Sequence, residues 1–180
     1  SNPLDAIVYS FYKVSGFSKN KVVGMAGALD TCRFKTFLAE ETGFSVQDIQ
    51  CMVLGGHGDT MVPLVGPTNV GGTPIADLIP KQRLESIVQR TRDGGGEIVA
   101  LLKTGSAFYA PSAAVTQMVE AILFDKKQIL PCCVRLDGEY GVQGLCVGVP
   151  VKLGARGIEK IYELPLSSEE KTALQKSIDA

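Results

Sequence analysis

Three apolar runs near the C-terminal end constrain this chain most. They are CCVRLDG (132–138), LCVGVPVKLG (145–154) and GIEKIYELPL (157–166). Each reads as a strand, and glycine turns separate them. Links this short join neighbouring strands antiparallel, because parallel neighbours need a long crossover. Upstream, from about residue 80 to 127, the apolar spacing is helical. Leu84, Ile87, Val88 and Thr91 form one stripe, and Ala114, Val115, Met118, Val119, Ile122 and Leu123 form another. The chain therefore reads as an α+β fold of mixed helices and mainly antiparallel strands. No repeat or low-complexity linker divides it, so residues 1–180 are expected to form one domain.

Local signals fill in the remainder. A first helix follows Asn2-Pro3, because Pro favours the first helical position. SGFSKN (15–20) reads as a loop and KVVGMAG (21–27) as a short strand. A second helix runs from about Asp30 to Glu41 and is closed by Gly43. QCMVLGG (50–56) reads as a strand that ends in glycines, with MVPLV (61–65) as its continuation or partner. GPTNVGGTP (66–74) is rich in turn residues. Breaks in the helical region are expected at Pro111 and at Gly94-Gly95-Gly96, where another element would pack closely. Ser167 and Glu170 have capping-box spacing for a last helix.

Composition excludes several function classes. The formal net charge is −1, so nothing electrostatic points to nucleic acid or an anionic membrane. Apolar stretches are too short or too broken to cross a bilayer. The first residues lack a basic run followed by an apolar one, so no secretory leader is expected. Five cysteines at 32, 51, 132, 133 and 146 have no disulfide or zinc spacing, and the chain has one histidine. Reduced thiols in a cytoplasmic protein without a metal site are the expectation.

That histidine, His57, sits in VLGGHGDTMV (53–62) among Gly55, Gly56 and Gly58. Imidazole titrates near neutral pH, and glycines allow a sharp turn and close approach of a ligand. LDTCRF (29–34) places Asp30 and Arg33 three apart, on one helix face. Arg clamps carboxylates through two parallel hydrogen bonds, and Asp can accept an imidazole N–H. The three suit a carboxylate-bearing substrate that gains or loses a proton. A turn histidine bonded locally and an Asp–Arg surface pair are the plainer alternatives. Ser106, in KTGSAFYAP (103–111), either lines a pocket or bonds within its helix. No GxGxxG, GxxxxGK[ST] or GxSxG motif is present.

Taken in order, SNPLD (1–5), LDTCRF, VLGGHGDTMVPL (53–64), LLKTGSAFYAP (101–111) and VGVPVKLG (147–154) resemble the NAD-dependent lactate/malate dehydrogenase family. GGHGDTMVPL and KTGSAFYAP look most like its malate-specific, lactate-dehydrogenase-like branch. The resemblance implies that His57 is the catalytic acid/base, with Asp30 as its acidic partner. It implies that Arg33 binds the substrate carboxylate. Asn2 would sit at the substrate oxygen and the nicotinamide ribose, serving both substrate and cofactor. Ser106 falls where the family has a small hydroxyl residue near the pocket. The implied cofactor is NAD and the implied substrate a small dicarboxylate, malate or oxaloacetate, with lactate the alternative. The resemblance spans only the family's C-terminal, substrate-binding half. The Rossmann domain, with most of the cofactor site and a mobile loop, is absent. By itself the chain is expected to be inactive, or to be a non-catalytic self-associating piece. The family forms dimers and tetramers, so a homo-oligomer is expected of the full-length parent.

Overall fold

The computed structural model describes residues 2–180. Helix α1 (Leu4–Ser15) ends at Gly16, which takes the left-handed conformation. A single 3-10 turn (Lys19–Lys21) leads to α2 (Gly27–Thr42), closed by left-handed Gly43, whose N–H donates to the Ala39 carbonyl. The predicted helix is thus present and begins three residues earlier. Short strands follow: β1 (Ile49–Gln50), β2 (Val53–Leu54), β3 (Val62–Pro63), β4 (Asn69–Val70) and β5 (Thr73–Pro74). A short α3 (Ile75–Leu78) precedes α4 (Lys81–Leu102) and α5 (Tyr109–Leu123). The chain closes with β6 (Gln128–Asp137), β7 (Gln143–Gly154), β8 (Gly157–Ile161) and α6 (Ser168–Asp179).

Every strand pair is antiparallel, as the short links require. The β6–β7–β8 sheet is the centre of the molecule. Alternate β6 residues face opposite ways. Cys132, Val134 and Leu136 pack with Val149, Val151, Met118 and Leu174, so that α5 and α6 cover this face. Cys133 packs with Leu4, Val8 and Ala26, so that α1 covers the other. A second cluster joins α2 to α4 through Phe34, Leu38, Leu84 and Ile87, and takes in Ile49, Val53 and Val70 from the short strands.

Three local expectations need correction, while the turn-rich reading of 66–74 holds, with two short strands beside the turn. Residues 21–27 form no strand; Gly24 and Cys133 exchange one pair of backbone hydrogen bonds, at 2.8 and 2.9 Å, and the ladder stops there. The turn-rich segment 66–74 carries β4 and β5, with Gly71 and Gly72 as the hairpin turn between them. The run 157–166 is strand only to Ile161. Gly94-Gly95-Gly96 does not break a helix, because α4 runs through it. The close packing expected there does occur: Gly94 is buried, and a Cβ on it would lie 3.3 Å from Arg33 Cδ. Burial of Leu84, Ile87, Thr91 and Gly94 on one stripe outweighs the local glycine penalty.

The capping box at α6 is present as predicted. Ser167 Oγ accepts from the Glu170 N–H at 3.1 Å, and a Glu170 carboxylate oxygen accepts from the Ser167 N–H at 2.9 Å. All five cysteines are free thiols. Burial pushes Cys51 and Cys132 up to about 12, so both behave as small apolar residues. No helix of the described residues is long and apolar enough to cross a membrane. Among the described residues no group of three or more His, Cys, Asp or Glu could hold a metal ion.

Candidate active site

The first turn of α2 sets Asp30, and the helix direction matters: a carboxylate there meets the positive end of the helix dipole. Asp30 is 1% exposed. Burying a carboxylate is costly unless it is paired, and Asp30 is paired through both oxygens. Oδ1 accepts from Arg33 Nη1 at 3.3 Å, one helical turn along. Oδ2 lies 2.8 Å from His57 Nδ1. A carboxylate only accepts, so Nδ1 carries the proton and Nε2 is left as the acceptor. The surface-pair and turn-histidine alternatives therefore do not describe this arrangement.

Arg33 is mostly buried, and its Nε has no hydrogen-bond partner. Burial lowers the guanidinium below its ordinary value, with the Asp30 charge opposing that shift. It remains a cation, as Arg does in proteins. Its side chain lies along the glycines of α4, with Nη1 3.7 Å from the position of a Cβ on Gly95.

His57 sits in a turn hung from the central hairpin. Gly55 N–H donates to the Gly148 carbonyl at 2.9 Å, and Gly148 N–H returns the bond at 3.2 Å. A Cβ on Gly148 would collide with the Gly55 carbonyl oxygen, so the approach requires glycine. Gly55 (φ 84°) and Gly58 (φ 121°) occupy backbone conformations that other residues rarely adopt.

A cavity of about 400 Å³ gathers Asn2, Arg33, His57 and Ser106, with Met25, Leu29, Gly95 and Val99 among its other walls. All four residues singled out for a pocket role in the sequence thus face one space, and Asp30 stands directly behind two of them. Gly95 and Val99 were not foreseen, although the triple glycine marked that stretch as a place of close approach. A separate groove of about 360 Å³ between α2, α4 and α5 shares Arg33 and Leu29 but lacks the histidine. The chemistry open to this arrangement is proton exchange by an oriented imidazole, beside a cation able to hold an anion.

Fold and site together define a class. The family model for the lactate/malate dehydrogenase alpha/beta C-terminal domain matches residues 27–180, and the chain belongs to that family. Its similar relatives include malate and lactate dehydrogenases. It is 58% identical, over its whole length, to malate dehydrogenase 1 of Anaeromyxobacter dehalogenans, and 59% identical to the malate dehydrogenase of Rhodopirellula baltica. The chain spans 58% and 57% of those two proteins. Among solved structures, Salinibacter ruber malate dehydrogenase superposes with a TM-score of 0.95 at 56% identity, covering 98% of this chain and 57% of that one. The lactate dehydrogenase of Cryptosporidium parvum, complexed with lactic acid and nicotinamide adenine dinucleotide, superposes at 0.97 with 45% identity, covering 99% of this chain and 58% of that one.

Proposed function

We propose that the full-length protein carrying this chain is an NAD-dependent malate dehydrogenase, and that residues 1–180 form its substrate-binding and acid/base half. The observation that carries the reading is the single buried Asp30 carboxylate bonded to both His57 and Arg33 at the wall of one cavity. At about 400 Å³ the cavity suits a four-carbon dicarboxylate and one flat ring, not a whole dinucleotide. Its apolar walls at Leu4, Val99 and Pro111 and the exposed Asn2 fit the nicotinamide end of the cofactor. The sequence carries no glycine-rich phosphate cradle, so the rest of the dinucleotide must be held elsewhere in the protein.

When bound, the nicotinamide supplies the hydride acceptor for alcohol oxidation. The chain's own residues do the remainder. Arg33, which lines the cavity, holds the carboxylate beside the reacting carbon. His57 Nε2 takes the hydroxyl proton of malate as its carbon is oxidised. Asp30 stabilises the imidazolium that forms. In reverse, protonated His57 returns the proton to the carbonyl oxygen of oxaloacetate. Asn2 borders both substrate oxygen and nicotinamide ribose, and Ser106 supports the pocket wall.

Steady-state NADH oxidation by the full-length protein tests this, with oxaloacetate and pyruvate in parallel. Preference for oxaloacetate is expected, because the relatives at 56–59% identity are malate dehydrogenases. Preference for pyruvate would move the assignment to lactate, as in the Cryptosporidium neighbour. His57→Asn is expected to reduce kcat by about a hundredfold or more in both directions with the fold intact. Near-normal turnover in that variant would overturn the acid/base role. Residues 1–180 alone should show neither activity, for want of the cofactor's main site. Five free thiols accord with a reducing, cytoplasmic setting. The exposed Val115, Leu123 and Phe124 of the α5 region support a homo-oligomeric parent.

A further inference from the structure

Helix α6 lies far from His57 in sequence, yet it holds both ends of the segment that carries it. At one end the Gly56 N–H donates to Ser177 Oγ at 2.9 Å, a contact across 121 positions. At the other end the Gly66 N–H donates to Glu170 Oε1 at 3.1 Å. Ser177 is 8% exposed. A helical serine can satisfy its hydroxyl on the carbonyl four residues earlier. Here its oxygen accepts from the backbone N–H immediately before His57. The fit is tight as well, since a Cβ on Gly55 would fall against the Ser177 hydroxyl. Among the described residues no other side chain bonds the backbone of Gly55 or Gly56, whose remaining partner is the main chain of β7.

We propose that Ser177 is a positioning residue: resting on His57 as the acid/base group, its hydroxyl fixes the Gly56 peptide and so the place of the imidazole over the cavity. The bond fixes one peptide, and the next Cα carries the imidazole. A small rotation there displaces Nε2 relative to a substrate held independently by Arg33. Proton transfer depends steeply on such distances. Substrate affinity, set by Arg33, does not.

The test uses the full-length protein with Ser177→Ala and Ser177→Thr. Three readouts are taken: kcat and KM for malate across pH, hydrogen exchange of the peptide spanning residues 53–62, and the melting temperature. For Ser177→Ala we expect kcat lower by about tenfold, KM within about twofold, a displaced acid limb of the kcat profile, and faster exchange in that peptide. Ser177→Thr keeps the hydroxyl, and its methyl can enter the cavity of about 350 Å³ that Ser177 also lines. It should restore most of kcat and the exchange protection. Unchanged exchange in Ser177→Ala would show that the bond does not hold the turn, and would overturn the proposal. Faster exchange with wild-type kcat and pH profile would make Ser177 purely structural, which also overturns it. If His57→Asn retains turnover, the acid/base reading has failed instead, and the exchange result still reports whether Ser177 holds the turn.

Discussion

Asp30 serves two partners with one carboxylate, and the geometry sets what each can lose. Arg33 faces the cavity with a planar fork; a lysine would keep the charge as a single point. In the full-length protein, Arg33→Lys should raise KM for malate by about ten- to a hundredfold, the range of one lost charge-assisted hydrogen bond, and lower kcat. NADH affinity, followed by fluorescence titration, should stay within about twofold. An unchanged KM would remove Arg33 from the substrate site. The Asp30–Arg33 pair was legible in sequence because three-residue spacing puts both on one helix face. The Asp30–His57 bond was not, since 27 positions and a change of element separate them. Only the resemblance to a known family put those two together. Ser177 left no local signal at all: a serine near a helix end looks the same whether its hydroxyl meets water or a peptide in another element.

Elements are legible where the period is strong and the ends carry their own chemistry. The box at Ser167 and Glu170 and the left-handed Gly43 are local devices, and both occur where expected. Sequence misleads where tertiary packing overrides propensity, most clearly in α4. Three successive glycines look like a break because each costs about 1 kcal/mol against alanine in a helix. The three differ in what surrounds them. Nothing lies within 4 Å of a Cβ on Gly96, whereas one on Gly94 would press on Arg33 Cδ at 3.3 Å. Gly96→Ala should therefore stabilise the full-length protein by about 0.5–1 kcal/mol, seen as a higher melting temperature. Gly94→Ala should gain less or lose stability, and should raise KM for malate by displacing Arg33. Equal gains from both, with KM untouched, would contradict this account. At 66–74 the turn glycines do mark a turn, and the residues flanking them pair as two short strands.

At the scale of the molecule, the antiparallel sheet was legible because short links leave no other pairing. Which helix covers which face was not, because that depends on contacts among distant segments. One such contact ties the sheet to its surroundings. Glu159 in β8, with its side chain only 2% exposed, is met by Lys127 at 2.8 Å, Lys152 at 3.2 Å and Arg156 at 3.5 Å. The hydrogen bond from Lys127 leads in holding its carboxyl below the ordinary 4.5, with desolvation opposing. A carboxyl depressed in the folded state adds stability above its unfolded value, and that stability is lost as pH falls through the folded one. Glu159→Gln should thus melt below wild type at neutral pH, with the gap closing as the pH is taken well under 4.5. A gap of the same size at neutral and at strongly acidic pH would rule this network out as a source of acid sensitivity.

The main-chain bridge between Gly55 and Gly148 bears on how such a protein can change over generations. Side-chain fastenings are lost one substitution at a time, but a peptide-to-peptide fastening belongs to every sequence that keeps the backbone path. The apolar residues beneath the sheet can drift in identity without releasing the histidine turn. Position 148 cannot, for any side chain there would collide with the Gly55 carbonyl oxygen. Tolerance in the core and intolerance at one glycine are two sides of the same attachment.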